Sequence, residues 1–180
     1  MRAIVIIGTQ GTGKSTYCKR LEAENPNIKR VTKDDVRFAL FDLHNYDKNY
    51  DKLHKEYGDR VEAIYWMMID TILQQGLTVI LDETHHKKKD RKATLARLKG
   101  SYPGIKVEAH FLYSNFERCW ARNLKRRPEQ IVSRDIMWRY FEELVASFAG
   151  SLNKWKVTAK LAWENFDTSS YIDADELLDN

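Results

Sequence analysis

A three-layer α/β domain, with a parallel sheet of four to five strands and helices on both faces, is predicted by three features of this 180-residue chain. Short β-branched runs, such as Ile4-Val5-Ile6-Ile7 and Thr78-Val79-Ile80-Leu81, alternate with helical patterns, as crossovers between parallel strands require. Those runs end in glycine or carboxylate clusters, and open α/β sheets bind ligands at the carboxyl ends of their strands. The balance of 43% hydrophobic and 31% charged residues suits one packed domain.

The first strand runs into Gly8-Thr9-Gln10-Gly11-Thr12-Gly13-Lys14-Ser15-Thr16, and a helix face of Tyr17, Cys18 and Leu21 follows. The spacing Gly-x-x-x-x-Gly-Lys-Ser is complete from Gly8 to Ser15. Glycines let the chain turn sharply and bring bare N–H groups against phosphate oxygens, while the helix points its positive end at the same place. Gly8 through Thr16 are therefore assigned to ATP, with Lys14 reaching the β/γ phosphates and the Ser15 hydroxyl a ligand for Mg²⁺.

Asn25-Pro26-Asn27 is a loop, and Ile28 to Thr32 a short second strand. Lys33-Asp34-Asp35-x-Arg37 follows, with Thr32 as N-cap and both aspartates favoured in a first helical turn. Phosphoryl transfer to a hydroxyl needs a carboxylate opposite the γ-phosphate to orient and deprotonate the acceptor. Asp34, at the end of a strand expected beside the first, is assigned that role, and Asp35 a helix-start charge. Arg37, one turn on, is placed to hold an acceptor phosphate.

Residues 42 to 51 read as an exposed loop, and Tyr46, Tyr50 and Tyr57 around it are candidates to stack on bases. Leu53, Tyr57, Val61, Ile64, Tyr65, Met68, Ile69 and Ile72 predict a long amphipathic helix that Gly76 ends. Asp82 closes the next strand and is the second candidate for Mg²⁺ or its waters. His85 and His86, without a metal-spaced partner, read as loop residues near substrate phosphate.

A basic helix over about 88 to 99, a strand from Val107 to Tyr113 and a helix from Phe116 to Arg127 come next. Arg118, Arg122 and Arg126 recur every four residues and so share a face of that helix, which Pro128 breaks. This reads as a lid over about 115–135, its arginines closing on the nucleotide. Arg134 to Phe148 predicts a further helix, Trp155 to Trp163 alternates as a strand does although Leu152, Trp155, Ala159 and Trp163 also fit a helix, and Tyr171-Ile172 suggests a last short strand. The expectation is a single domain over 1–180, with 149–180 an extension that completes the fold.

Net charge is +4, with basic groups at Lys87 to Lys99 and Arg118 to Arg127, and an acidic stretch at the end. That pattern suits a polyanionic substrate. Cys18 and Cys119 have no metal or disulfide spacing and read as small hydrophobes on helices. No signal segment or membrane span is legible, so the expected setting is the cytoplasm. Oligomeric state leaves no trace in the sequence.

Gly8 to Thr16, Lys33-Asp34-Asp35-x-Arg37, Leu81-Asp82-x-Thr84 and Arg122-Asn123-x-x-Arg126 come in the order and approximate spacing of a known enzyme family. Over roughly residues 1 to 148 the chain resembles the kinase domain of bacteriophage polynucleotide 5′-kinases, within the P-loop kinase group that includes zeta toxins. The resemblance implies a P-loop NTPase fold, Asp34 as general base for a 5′-hydroxyl and Arg37 on the acceptor strand's phosphate. It implies Lys14, Ser15 and Thr16 on ATP·Mg²⁺, and Arg126 on the donor phosphates with Arg122 nearby. The phage phosphatase motif Asp-x-Asp-x-Thr is not matched by Asp173-Ala174-Asp175-Glu176-Leu177, so kinase activity alone is expected. The reading is an ATP-dependent kinase for a nucleic-acid hydroxyl, first of all a 5′ end. Its alternatives are a hydroxymethylated base within phage DNA, a small molecule or nucleotide sugar, and a slowly hydrolysing nucleotide switch.

Overall fold

The computed structural model describes residues 1–41, 50–112, 114–148 and 171–173. Strands are β1 (Arg2–Ile7), β2 (Ile28–Val31), β3 (Thr78–Leu81), β4 (Lys106–Phe111) and β5 (Tyr171–Asp173). Helices are α1 (Lys14–Glu24), α2 (Lys33–Phe41), α3 (Tyr50–Gln74), α4 (Lys88–Ser101), α5 (Phe116–Asn123) and α6 (Arg134–Phe148), with a 3₁₀ turn at Pro128–Gln130.

β1 is central because its side chains are apolar on both faces. Ala3, Val5 and Ile7 pack with Tyr65, Ile69 and Leu73 of α3, Leu95 and Leu98 of α4, and Leu144 of α6. Ile4 and Ile6 turn the other way, against Tyr17 and Cys18 of α1. This period-two division makes three layers. A small satellite core of Phe116, Cys119, Val132 and Met137 joins α5 to α6. Cys18 and Cys119 are buried on helices as expected.

Strand order is β2-β3-β1-β4-β5. β1 pairs in parallel with β3 and β4, and β2 in parallel with β3. Two expectations change. The strand before Asp34 does not lie beside β1, because β3 returns between them after the α2–α3 crossover. The fifth strand is antiparallel to β4, so the parallel sheet has four strands. β1 sits where the order reverses, between β3 and β4, which places its C-terminal loop at the ligand-binding crevice. The strand expected over Trp155 to Trp163, and Tyr46, lie outside the described residues. Among the described residues no helix is long and apolar enough to cross a membrane.

The turn after β3 is locked into this core. His85 takes a positive φ of 42° and donates its Nδ1–H to the carbonyl of Ile6 at 2.8 Å. Full burial pushes its pKa down from 6.5 to about 4. The unfolded chain thus binds the extra proton first, so the stability is complete above pH 6.5 and is lost as pH falls toward 4. Between pH 7.5 and 5 the wild type should lose about 2 kcal/mol through this group. In His85→Asn, whose side chain tolerates a positive φ, urea unfolding at the two pH values should show that loss shrink; an unchanged loss would assign it to other groups.

Candidate active site

The loop between β1 and α1 is pinned from three sides. The amide of Gly8 donates to the Thr84 carbonyl at 3.0 Å, which ties the loop to the end of β3. The Thr12 hydroxyl donates to the Thr9 carbonyl at 2.9 Å, and Gly13, at φ 94°, starts α1. Lys14 Nζ also donates to the Thr9 carbonyl, at 2.6 Å, which curls the side chain back over the loop. Burial lowers the Lys14 pKa, and the nearby Asp82 carboxylate partly opposes that shift. Thr9, Gln10 and Thr12 are buried in the loop, whereas Thr16 is exposed on α1.

Gly11 has a requirement the motif does not state. At φ 78°, a Cβ there would stand 2.4 Å from the Cys119 carbonyl oxygen of α5. Gly11→Ala therefore combines left-handed backbone strain of about 1–3 kcal/mol with a clash against backbone. A fall in Tm of at least about 5 °C is expected by thermal unfolding. An unchanged Tm would mean that α5 moves aside freely.

Above the loop stand the carboxylates. Asp34 lies in the first turn of α2, its amide bonded to the Thr32 hydroxyl at 3.2 Å, so Thr32 caps as predicted. Its side chain is 49% exposed, and Oδ1 accepts from Arg37 at 2.7 Å. Asp82 is almost wholly buried and accepts from Arg30 at 2.8 Å; the same guanidinium holds Asp35. Asp35 is thus a helix-start charge with a partner. Gln10, Lys14, Ser15, Asp34, Arg37, Asp82 and Arg126 all line one cavity of about 210 Å³. Ser15, Asp34 and Arg126 also line an adjoining cavity of about 390 Å³ that Arg30 and Phe38 border.

The lid arginines part company. α5 ends at Asn123, short of the expected Arg127. The Asn123 side chain is fully buried, donating to the Val132 carbonyl at 2.8 Å and accepting from its amide at 3.1 Å. That exchange fastens the loop between them, so Arg126 no longer shares a helix face with Arg118 and Arg122. Arg122 donates to the Gly11 carbonyl at 3.1 Å, Arg126 reaches both cavities, and Arg118 lines neither.

Several residues here have structural roles that the sequence did not show. Glu83 accepts the Lys33 amide at 2.6 Å, and burial, then the charge of Asp34, raise its pKa. It clamps the start of α2 to the end of β3. His86 lies in the loop after β3 as expected, but it is buried instead of facing phosphate and stacks on Tyr140 of α6. Arg91, counted with the basic surface, is also buried and donates to the carbonyls of His85 and His86 at 2.8 and 3.0 Å. A sequence records neither partner, because both depend on elements far apart in the chain. Tyr57 lies on α3 and lines neither cavity, and the Tyr50 side chain is outside the described residues.

No protein of curated function matches the sequence. A chain from "Structure of the Pnkp1/Rnl/Hen1 RNA repair complex" superposes with TM-score 0.67 at 18% identity, over 81% of this chain and 44% of that one. The chain thus spans less than half the length of that relative. A putative kinase from Chloroflexus aurantiacus J-10-fl gives TM-score 0.56 at 18% identity, over 72% of both chains. A gluconokinase from Sinorhizobium meliloti 1021, at TM-score 0.43, is too distant to bear on the argument. At these identities the superpositions speak for the fold. The profile of the AAA_33 family, described as an AAA domain, matches residues 4–150, which take in the loop, both carboxylates and the lid arginines. With its Gly8–Ser15 loop set at the switch point of a four-stranded parallel sheet, the chain belongs to the AAA_33 family.

Proposed function

We propose that this chain transfers the γ-phosphate of ATP to a hydroxyl on a nucleic acid, first of all a 5′-hydroxyl end. The observation that carries the reading is Asp34. A half-exposed carboxylate, oriented by Arg37, shares a cavity with Lys14 and Ser15. A nucleotide switch needs no such base; a kinase for hydroxyl acceptors does.

In this reading the acceptor oxygen attacks the γ-phosphorus, its proton passes to the Asp34 carboxylate, and the bond to the β–γ bridging oxygen breaks to leave ADP. Lys14 and the loop amides from Gly8 to Thr16 hold the donor phosphates. Arg126, with Arg122 behind it on the Gly11 carbonyl, offsets the charge that builds up in transfer. Arg37 holds an acceptor phosphate. Ser15 and Asp82 supply hard oxygen donors on one cavity, which suits Mg²⁺, and Asp82 is close enough to Lys14 to affect its charge. When bound, the ion would neutralise the β/γ oxygens. The fold shared with a chain of an RNA repair complex supports a nucleic-acid acceptor.

The test is labelling from γ-labelled ATP and Mg²⁺ with three acceptors: a 5′-hydroxyl oligonucleotide, a 5′-phosphorylated strand with a hydroxymethylated pyrimidine, and mixed nucleosides and nucleotides. Label on the first is expected. Label on the second alone moves the acceptor to a base, and label only on small molecules overturns the polymer reading.

A further inference from the structure

The polar residues lining the Asp34 cavity are accounted for by phosphate, acceptor or metal, or by the frame of the site, and one lining residue is not. Tyr140 is the only aromatic residue lining it among the described residues. Its ring stacks on that of His86, with centroids 4.2 Å apart and planes 14° apart.

His86 is itself held at both ends. Its Nδ1 lies 3.0 Å from the Thr84 hydroxyl and its Nε2 3.0 Å from Glu143. With the proton on Nε2, that N–H faces the Glu143 carboxylate while Nδ1 accepts from the Thr84 hydroxyl, which sets the plane of the ring. Tyr140 is therefore a plate braced by His86; the guanidinium of the exposed Arg139 also stands over the ring, 5.6 Å from its centroid, and as a surface side chain it can give way to a base entering from the cavity. Aromatic plates beside phosphate-binding groups hold planar rings, because stacking accepts any base.

We propose that Tyr140 is the platform on which the base of the acceptor nucleotide stacks, setting the acceptor's hydroxyl against Asp34. This rests on the kinase reading above and narrows its substrate to acceptors with a planar ring next to the hydroxyl. The competing plate is Phe38, 52% exposed beside the adjoining cavity. Lys14 and Arg37 do not border the Phe38 cavity. Tyr140 is favoured because the groups that perform transfer lie around it.

The experiment measures phosphorylation of two 5′-hydroxyl oligonucleotides that differ only in their first nucleotide, adenine-bearing or abasic. The wild type should show a KM for the abasic strand higher by roughly tenfold, a modest value for base stacking. In Tyr140→Leu the ratio of the two KM values should collapse toward one, and Tyr140→Phe should keep it. A second readout needs no turnover: 2-aminopurine as the first base should lose fluorescence on binding the wild type but not Tyr140→Leu. The platform is overturned if the ratio survives in Tyr140→Leu, if Phe38→Ala abolishes it instead, or if 2-aminopurine is not quenched by the wild type. Transfer to neither strand by the wild type overturns the nucleic-acid reading as well, so the two failures are told apart.

Discussion

Asp34→Asn is expected to lower kcat by roughly 10²–10⁴-fold, the usual worth of a general base. The Kd for ATP should change by less than about threefold, because the carboxylate stands in α2, apart from the loop that cradles phosphate. The replacement is isosteric, and its amide oxygen can still accept from Arg37, so the start of α2 should keep its geometry. What is lost is the capacity to take the acceptor's proton. Single-turnover transfer and calorimetric ATP titration separate the two quantities. Near wild-type transfer by this variant would remove Asp34 from the mechanism.

Lys14→Ala should instead damage both quantities, with kcat down by roughly 10²–10³-fold, as for loss of one donor aimed at developing charge. In this structure Nζ lies on the Thr9 carbonyl and must exchange that bond for a phosphate oxygen when nucleotide arrives. Burial lowers the Lys14 pKa, so the ammonium is held in a site that favours an anion beside it. Retained ATP affinity in the variant would show that the loop amides suffice for binding and confine Lys14 to the transfer step.

The nucleotide loop was legible because its chemistry is local. Glycines, lysine and serine at fixed offsets make a phosphate cradle from one stretch of backbone. The cap at Thr32, the long α3 ending near Gly76 and the apolar strands were legible for the same reason: propensity and period act over neighbouring residues. Arg118, Arg122 and Arg126 show where this logic fails. Their four-residue spacing is helical, yet the buried Asn123 side chain gains two hydrogen bonds to Val132 by ending the helix first. A pair of buried, satisfied bonds outweighs a weak helical preference over one turn.

Sequence by itself thus determined the fold class, the glycine-rich loop motif and the placing of Asp34 and Arg37 at the start of one helix. Each is written in residues within a few positions of one another. Only the tertiary structure decided that β3 separates β1 from β2, which sets Asp82 between the loop and Asp34. It alone brought Arg30 onto Asp82, Glu83 under the start of α2, the carbonyl of Cys119 over Gly11 and Tyr140 onto His86. Those contacts join elements that are far apart in the chain and are fixed by burial and close packing. Neither leaves a period or a motif behind.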